Sequence, residues 1–386
     1  MAKNKAETRT VRAGLDVDQE HGSVIPPIHL SSTFSFKGLG EKRRYEYTRS
    51  GNPTRSILEE ALADLDGGHG AVVTSSGMAA VTTVLQLLEP KDLILAPHDC
   101  YGGTHRLLKS FFEKGHFQLK FIDQTDPDIL DKSFKDSPSM VWMETPSNPL
   151  LRVVSISDIV QRANAVNALV VVDNTFLSPV LQRPIELGAD IVVYSTTKYL
   201  NGHSDVVGGA VVTSTEDLTE EMACWANTLG VTGSPFDSFL TTRGLRTIYA
   251  RMRLHENNAL AVVATLQGHT AVKCVYHPSL EGHPGHQIAA SQQSGFGGMV
   301  SFELKGGTQQ VEAFLNGLTV FAFAESLGGV ESLVAHPTTM GNADMDEEAR
   351  AIAGVGDNLL RFSVGIESTE DLVSDLTAAL NRAERA

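Results

Sequence analysis

A lysine closes the apolar run Asp190-Ile-Val-Val-Tyr-Ser-Thr-Thr-Lys198, and a polar, glycine-containing turn, Tyr199-Leu-Asn-Gly-His-Ser204, follows it. Such a run reads as a buried strand, and ligands of open α/β sheets bind beyond the carboxyl ends of strands. Twenty-five residues upstream, Val170-Val-Val-Asp173 ends another apolar run in a carboxylate. A strand, a helix and a strand fit in that interval, so both side chains can project into one crevice. An amine that bonds an aldehyde and a carboxylate that keeps a pyridine nitrogen protonated together suit pyridoxal phosphate. That cofactor also needs an anion cup. Ser75-Ser-Gly-Met-Ala-Ala80 supplies a turn of small residues leading into a helix, whose first backbone N–H groups can bind phosphate. The hydroxyls of Ser195 and Thr197, flanking the lysine, add donors.

The elements that must position these groups are visible as alternating patterns. Short apolar runs span Asp92 to Pro97, Phe117 to Asp123, Met140 to Thr145, Leu169 to Thr175, Asp190 to Thr196 and Gly209 to Thr213, with helix-like stretches between them. Continuous apolar runs suit strands covered on both faces, and the spacers suit right-handed crossovers. The expected fold class is therefore α/β, a mainly parallel sheet with helices on both faces. The first clear helix opens at Asn52-Pro53, carries Ile57, Leu58, Ala61, Leu62 and Leu65 on one face, and stops at Gly67-Gly68. Ahead of it, a polar start, Pro26-Pro27 and Ser31-Ser-Thr33 read as an extended arm without a core. After about residue 250 the pattern changes: a helix-prone stretch from Leu245 to Leu266, a strand from Met299 to Leu304, a helix near Val311 to Leu318, a strand from Leu359 to Val364, and a last helix capped by Ser368. The division is an arm over 1–55, a cofactor-binding domain over 56–250 and a smaller C-terminal α+β domain over 251–386.

Composition bounds the partners. The 386 residues are 42% hydrophobic and 20% charged, average for a globular protein, and 31 Lys plus Arg against 46 Asp plus Glu leave a formal charge of −15. That field repels polynucleotides, so nucleic acid is not an expected partner, while small anions remain open to a cleft with local positive charge. Cys100, Cys224 and Cys274 are few and scattered, which fits a reducing compartment rather than a disulfide framework. With no apolar run of transmembrane length and no signal-like start, the expectation is a cytoplasmic protein with no membrane partner. His277, His283 and His286 fall in a proline- and glycine-rich loop without a matching carboxylate or thiolate pair, so no metal is expected. Cys100, beside Tyr101, reads as a packed small residue.

Several long stretches resemble the pyridoxal-phosphate enzymes of cysteine and methionine metabolism: Val24 to Thr33, Ala96 to Gly103, Pro146 to Val153, Val172 to Ser178, Thr197 to Val206 and Ala324 to Ser332. The resemblance covers nearly the whole chain and implies a fold type I transferase-like architecture with pyridoxal 5′-phosphate as cofactor. It implies Lys198 as the Schiff-base lysine, Asp173 as the partner of the ring nitrogen, and Tyr101 as the aromatic stacked on the ring and the base for an incoming amino group. Gly77, Met78, Ser195 and Thr197 would hold the phosphate, joined by Tyr47 and Arg49 from a neighbouring subunit, in a homotetramer built from dimers that share active sites. Arg361 would bind the substrate α-carboxylate with Asn148 and Ser326 assisting. Arg106 would meet a succinyl carboxylate and Glu325 the ammonium of incoming cysteine. The activity implied is γ-replacement on an O-acylated homoserine, O-succinyl-L-homoserine first, by L-cysteine to give cystathionine in methionine biosynthesis; cleavage of cystathionine by a β- or γ-lyase is the alternative. Methionine γ-lyases of this family carry a cysteine where this chain has Gly103, a departure that argues against a primary lyase of methionine.

Overall fold

The computed structural model describes residues 4–341 and 353–386. Its larger sheet has seven strands, β1 Gly70–Thr74, β2 Leu93–Pro97, β3 Gln118–Ile122, β4 Met140–Glu144, β5 Leu169–Asp173, β6 Ile191–Tyr194 and β7 Gly209–Thr213, in the spatial order β1, β7, β6, β5, β4, β2, β3. From β6 through β5, β4 and β2 to β3 the strands are parallel, and β7 runs antiparallel to both of its neighbours. Alternate side chains enter different cores: Val192 and Tyr194 of β6 pack on one face with Leu58, Leu62 and Met252, whereas Ile191 and Val193 pack on the other with Trp142 and Val171. The sheet is thus covered on both sides, as its unbroken apolar runs require. The strand β1 has no counterpart among the sequence-predicted runs, because its five residues follow the helix stop at Gly67 and Gly68 with only His69 between.

The first helices are α1 Ala6–Val11, α2 Pro53–Asp66, α3 Gly77–Leu85 and α4 Gly102–Glu113. The Asn52 side chain accepts from the amides of Thr54 and Arg55, Pro53 opens α2, and Gly67 closes it at φ 71°, a left-handed cap that glycine adopts without a Cβ clash. Burying Leu58, Leu62 and Leu65 stabilises this seat by roughly 2 kcal/mol each. The arm is less bare than expected: α1 packs against α2 and Arg9 pairs with Asp64, while Val24, Leu30 and Leu39 stay exposed.

The second sheet holds β8 Val272–Tyr276, β9 Met299–Leu304, β10 Ala322–Phe323, β11 Leu333–Ala335 and β12 Leu359–Ser363, in the order β10, β11, β12, β9, β8. The helix expected from Leu245 to Leu266 is Ile248–Gln267, and a separate helix, Pro235–Leu245, precedes it with Arg246 and Thr247 between them. The longer one bridges the cores, with Ile248 and Met252 packed under the large sheet and Val262 and Leu266 under the small one. The boundary expected at residue 250 falls in its first turn.

Three close approaches hold the turn that carries Lys198, from Gly244, from Arg251 and, on the second unit's loop, from Gly328. Buried Arg251 donates to the carbonyls of Tyr199 (2.8 Å), Leu200 (3.4 Å) and Gly244 (2.8 Å). Gly244 lies so close that a Cβ there would stand 2.1 Å from the Asn201 carbonyl oxygen. Gly328, at φ +77°, brings its loop within reach of the same turn, where a Cβ would stand 2.6 Å from the Tyr199 amide nitrogen. Alanine at 328 is strained in both conformation and space, so Gly328→Ala is expected to lower unfolding stability by about 2 kcal/mol or more. Urea melts of the two proteins check this; an unchanged midpoint and slope would show that the loop is not held against the turn.

Candidate active site

A cavity of about 360 Å³ opens where β4, β5 and β6 end, bounded by the start of α3, the Glu325–Leu327 loop and β12. At one end, Ser76 caps α3 by accepting the Ala79 N–H at 3.0 Å, and Ala80 donates to the Ser76 carbonyl. The amides of Gly77 and Met78 come before that first intrahelical bond, and both residues line the cavity. Gly77 is required by proximity: a Cβ there would stand 2.9 Å from that of Ser195. The Ser195 hydroxyl side lines the same end, while its amide donates to the Thr175 hydroxyl at 3.0 Å. Thr197 also lines the cavity, but its hydroxyl donates to the Gly208 carbonyl (3.2 Å) and accepts the Gly208 N–H (3.0 Å), so its one proton is already engaged by the turn.

Asp173 ends β5 on the cavity and accepts the Thr175 N–H at 3.0 Å; burial pushes its carboxyl up. Beside it, in register across the parallel pair, Glu144 ends β4, and burial together with the charge of Asp173 pushes its carboxyl well up. The Lys198 amine donates to the Ser326 hydroxyl at 2.7 Å. Burial, and then the charge of Arg361, lowers its pKa from 10.5 to about 8, against an opposing pull from Glu325. Tyr101, at the start of α4, is half exposed and lines the cavity. A Cβ at Gly103 would stand 2.6 Å from its ring and 3.0 Å from the Met78 sulfur, so glycine is what lets the ring lie where it does.

At the other end, Arg361 reaches in from β12, 9% exposed. Its Nη1 donates to Asn148 Oδ1 at 2.7 Å and its Nη2 to the Ser326 carbonyl at 3.2 Å, while buried Nε has no partner among the described residues. An orphaned donor on a planar cation is an invitation to a carboxylate. Ser326 holds φ at 90°, an uncommon value for a residue with a Cβ, and so places its hydroxyl and its carbonyl on two different cations of the site.

Lys198, Asp173, Tyr101, Gly77, Met78, Ser195, Thr197, Arg361, Asn148, Ser326 and Glu325 all line this cavity, Glu325 from its exposed rim. Arg106 is exposed on α4 and does not line it. Tyr47 and Arg49 do not line it either; the Arg49 guanidinium lies 5.7 Å from the Tyr47 ring centre and donates to the Asn227 carbonyl at 2.7 Å. Cys100 is fully buried, and burial pushes its thiol well up, away from a nucleophilic thiolate. His277 meets the Ser279 hydroxyl and His286 the Pro278 carbonyl, contacts internal to their own loop. Sequence reasoning missed Glu144, Thr175 and Arg251. Glu144 carried the same signal as Asp173, a charge closing an apolar strand.

The cavity offers an amine, a carboxylate set for a basic ring nitrogen, helix amides for an anion and an aromatic wall, a donor set that fits pyridoxal phosphate. The family model described as Cys/Met metabolism PLP-dependent enzyme matches residues 7–381. The chain belongs to that family. It is 53% identical to the cystathionine gamma-synthase of Escherichia coli K12, over 99% of both chains. Cystathionine gamma synthase of Xanthomonas oryzae pv. oryzae, solved with aminoacrylate and cysteine and again with cystathionine, is 57% identical and superposes at a TM-score of 0.99 over the whole of both chains. The cystathionine beta-lyase of Lactococcus lactis is 45% identical over 97% of this chain and 99% of its own. The family's name carries its cofactor, pyridoxal phosphate. Among the described residues, no helix is long and apolar enough to cross a membrane.

Only the unprotonated amine of Lys198 attacks an aldehyde. Because its pKa is lowered to about 8, the rate at which cofactor-free protein takes up pyridoxal phosphate should rise about tenfold per pH unit below 8 and level off above it. Stopped-flow absorbance measures this. A break near 10.5, the ordinary lysine value, would contradict the lowered pKa.

Proposed function

We propose that the chain binds pyridoxal 5′-phosphate and catalyses γ-replacement on O-succinyl-L-homoserine by L-cysteine, releasing succinate and forming cystathionine, as a cytoplasmic step of methionine biosynthesis. The observation that carries the reading is the shared cavity: a lysine amine with a lowered pKa and a buried arginine whose Nε has no partner among the described residues line it together. Full-length identity above one half to synthases, against 45% to a β-lyase, favours synthesis over cleavage.

Pyridoxal phosphate supplies an electron sink for negative charge developing on the substrate's carbon chain. Arg361, kept in place by Asn148 and the Ser326 carbonyl, holds the α-carboxylate as a bidentate fork. Asp173 accepts the hydrogen bond that keeps a proton on the ring nitrogen. Lys198 Nζ takes the proton from Cα and carries protons between neighbouring carbons; the Ser326 hydroxyl, accepting one of its N–H bonds, directs it. The succinyl carboxylate leaves Cγ with its bonding pair and the cysteine thiolate bonds Cγ in its place. Tyr101 accepts the proton of the incoming amino group, and Glu325, at the rim, receives the ammonium of cysteine. The Gly77 and Met78 amides and the Ser195 hydroxyl hold the phosphate; Arg106, exposed on α4 and outside the cavity lining, is assigned the succinyl carboxylate only by the family resemblance. Tyr47 and Arg49, which do not line their own chain's cavity, complete a neighbour's phosphate cup in a homotetramer of site-sharing dimers.

Cystathionine formation from cysteine with the O-succinyl, O-acetyl and O-phospho esters of homoserine, run side by side, tests the reading; the succinyl ester is expected to give the highest kcat/KM. Consumption of cystathionine with release of ammonia and an oxoacid, in place of its formation, would make the enzyme a lyase. Lys198→Ala should abolish turnover, and Arg361→Ala should lower kcat/KM by roughly a hundredfold, the order expected when a charged partner is stranded.

A further inference from the structure

Glu144 belongs to none of the roles above, yet it is 6% exposed, lines the cavity and is the one acidic residue of a strand that is otherwise fully apolar. Both of its oxygens are used. Oε2 accepts the Tyr101 N–H at 2.7 Å and Oε1 accepts the Asn148 N–H at 3.1 Å. Asn148 in turn accepts from Arg361, Arg361 donates to the Ser326 carbonyl, and the Ser326 hydroxyl accepts from Lys198. One chain of hydrogen bonds therefore runs around the cavity from the aromatic wall to the catalytic amine, and Glu144 is its first link.

We propose that Glu144 is a positioning residue that sets the separation between Tyr101, which faces the cofactor, and Arg361, which receives the substrate's α-carboxylate. The inference rests on the site roles proposed above. A carboxylate is the side chain suited to this place because it accepts with two oxygens and donates nothing; an amide of the same shape keeps one acceptor and turns an N–H₂ group toward the other donor. Holding the fold together does not account for it. The same two loops are already joined by Asp99, whose Oδ2 accepts the Ser147 hydroxyl at 2.6 Å and is ion-paired with Arg152 at 2.9 Å. Glu144 adds the placement of the two residues that meet ligand: the backbone of Tyr101 where α4 starts, and the backbone of Asn148 whose side chain steers the guanidinium. Arg361 also feels its charge, since Glu144 is among the groups that favour the protonated guanidinium against the opposing effect of burial.

The test uses the cofactor-loaded enzyme and three variants, Glu144→Gln, Asn148→Ala and the double. The readouts are kcat and KM for the homoserine ester and the dissociation constant of L-norvaline, an amino acid with no γ leaving group, read from the perturbation of the cofactor's visible absorbance. Each single variant should weaken norvaline and raise KM by about tenfold, the worth of one hydrogen bond to a charged group. The double should weaken norvaline no more than the worse single, because both cut the same path to Arg361. Glu144→Gln should also lower kcat through Tyr101, which Asn148→Ala should not do. A wild-type norvaline constant in Glu144→Gln, or a double variant equal to the product of the singles, would overturn the proposal. If Glu144→Gln fails to fold, Glu144→Asp decides: it keeps the charge but is one methylene short, and should weaken norvaline at least about threefold; a wild-type constant there overturns the proposal equally. A wild-type enzyme that forms no cystathionine would refute the γ-replacement and leave the norvaline comparison intact.

Discussion

A guanidinium from one sheet meets an amine from another inside a single cavity, and the remaining features of the site depend on that meeting. Removing an arginine from water costs several kcal/mol unless hydrogen bonds replace its hydration. Arg361 recovers two of them, from Asn148 and from the Ser326 carbonyl, and keeps Nε in reserve. Burial first, and then the charge of Arg361, make Lys198 hold its proton less tightly, so that a larger fraction of the amine is free base near neutral pH than for an ordinary lysine. Binding and base strength thus come from one juxtaposition. It exists only while the second sheet is seated on the turn after β6, where Arg251 and the Gly328 loop meet that turn.

The chain's charge of −15 conceals this interior. Around the cavity, Lys198 and Arg361 stand opposite Asp173, Glu144 and the rim residue Glu325. The carboxylates are not counter-ions in direct contact with the cations. Glu144 is held by two backbone N–H groups and Asp173 by Thr175, so dipoles rather than salt bridges offset their burial. That leaves both cations free to meet anionic ligands, which a close ion pair would have prevented.

Much of this was legible in the residues. The strand closed by Asp173 and the turn after β6 that carries Lys198 were visible because buried parallel strands are unbroken apolar runs, and a charge at or just past their carboxyl end stands out. The cap at Asn52 and the stop at Gly67 were visible because their signals are local. What escaped is non-local. The contact between Arg361 and Asn148 spans 213 residues, and the approach of Gly328 to Tyr199 depends on how two sheets dock; no periodicity encodes either. Here the family resemblance carried Arg361 where spacing could not. Glu144 escaped for another reason: placed between an apolar strand and a proline, it reads as the strand's polar terminus. The short strands β10 and β11 escaped because two or three residues hold no period. Tyr47 and Arg49 do not line this cavity, so the role proposed for them depends on a second chain.

Synthases and lyases of this family share the framework over nearly their full length, so its buried portion must serve reactions with different outcomes. In the proposed reaction Lys198, Arg361 and the hydrogen-bond chain through Glu144 act on groups that every amino-acid substrate has, an α-proton and an α-carboxylate, and Asp173 acts on the cofactor these reactions share. None of them touches what distinguishes an ester of homoserine from cystathionine, which lies at the far end of the substrate. On that reading discrimination falls to the exposed rim, where Glu325 stands at the cavity mouth. Rim charges act in high dielectric and each contributes little alone. Selectivity between replacement and elimination is, on that reading, a matter of small energies summed at the mouth, while the costly buried chemistry stays the same.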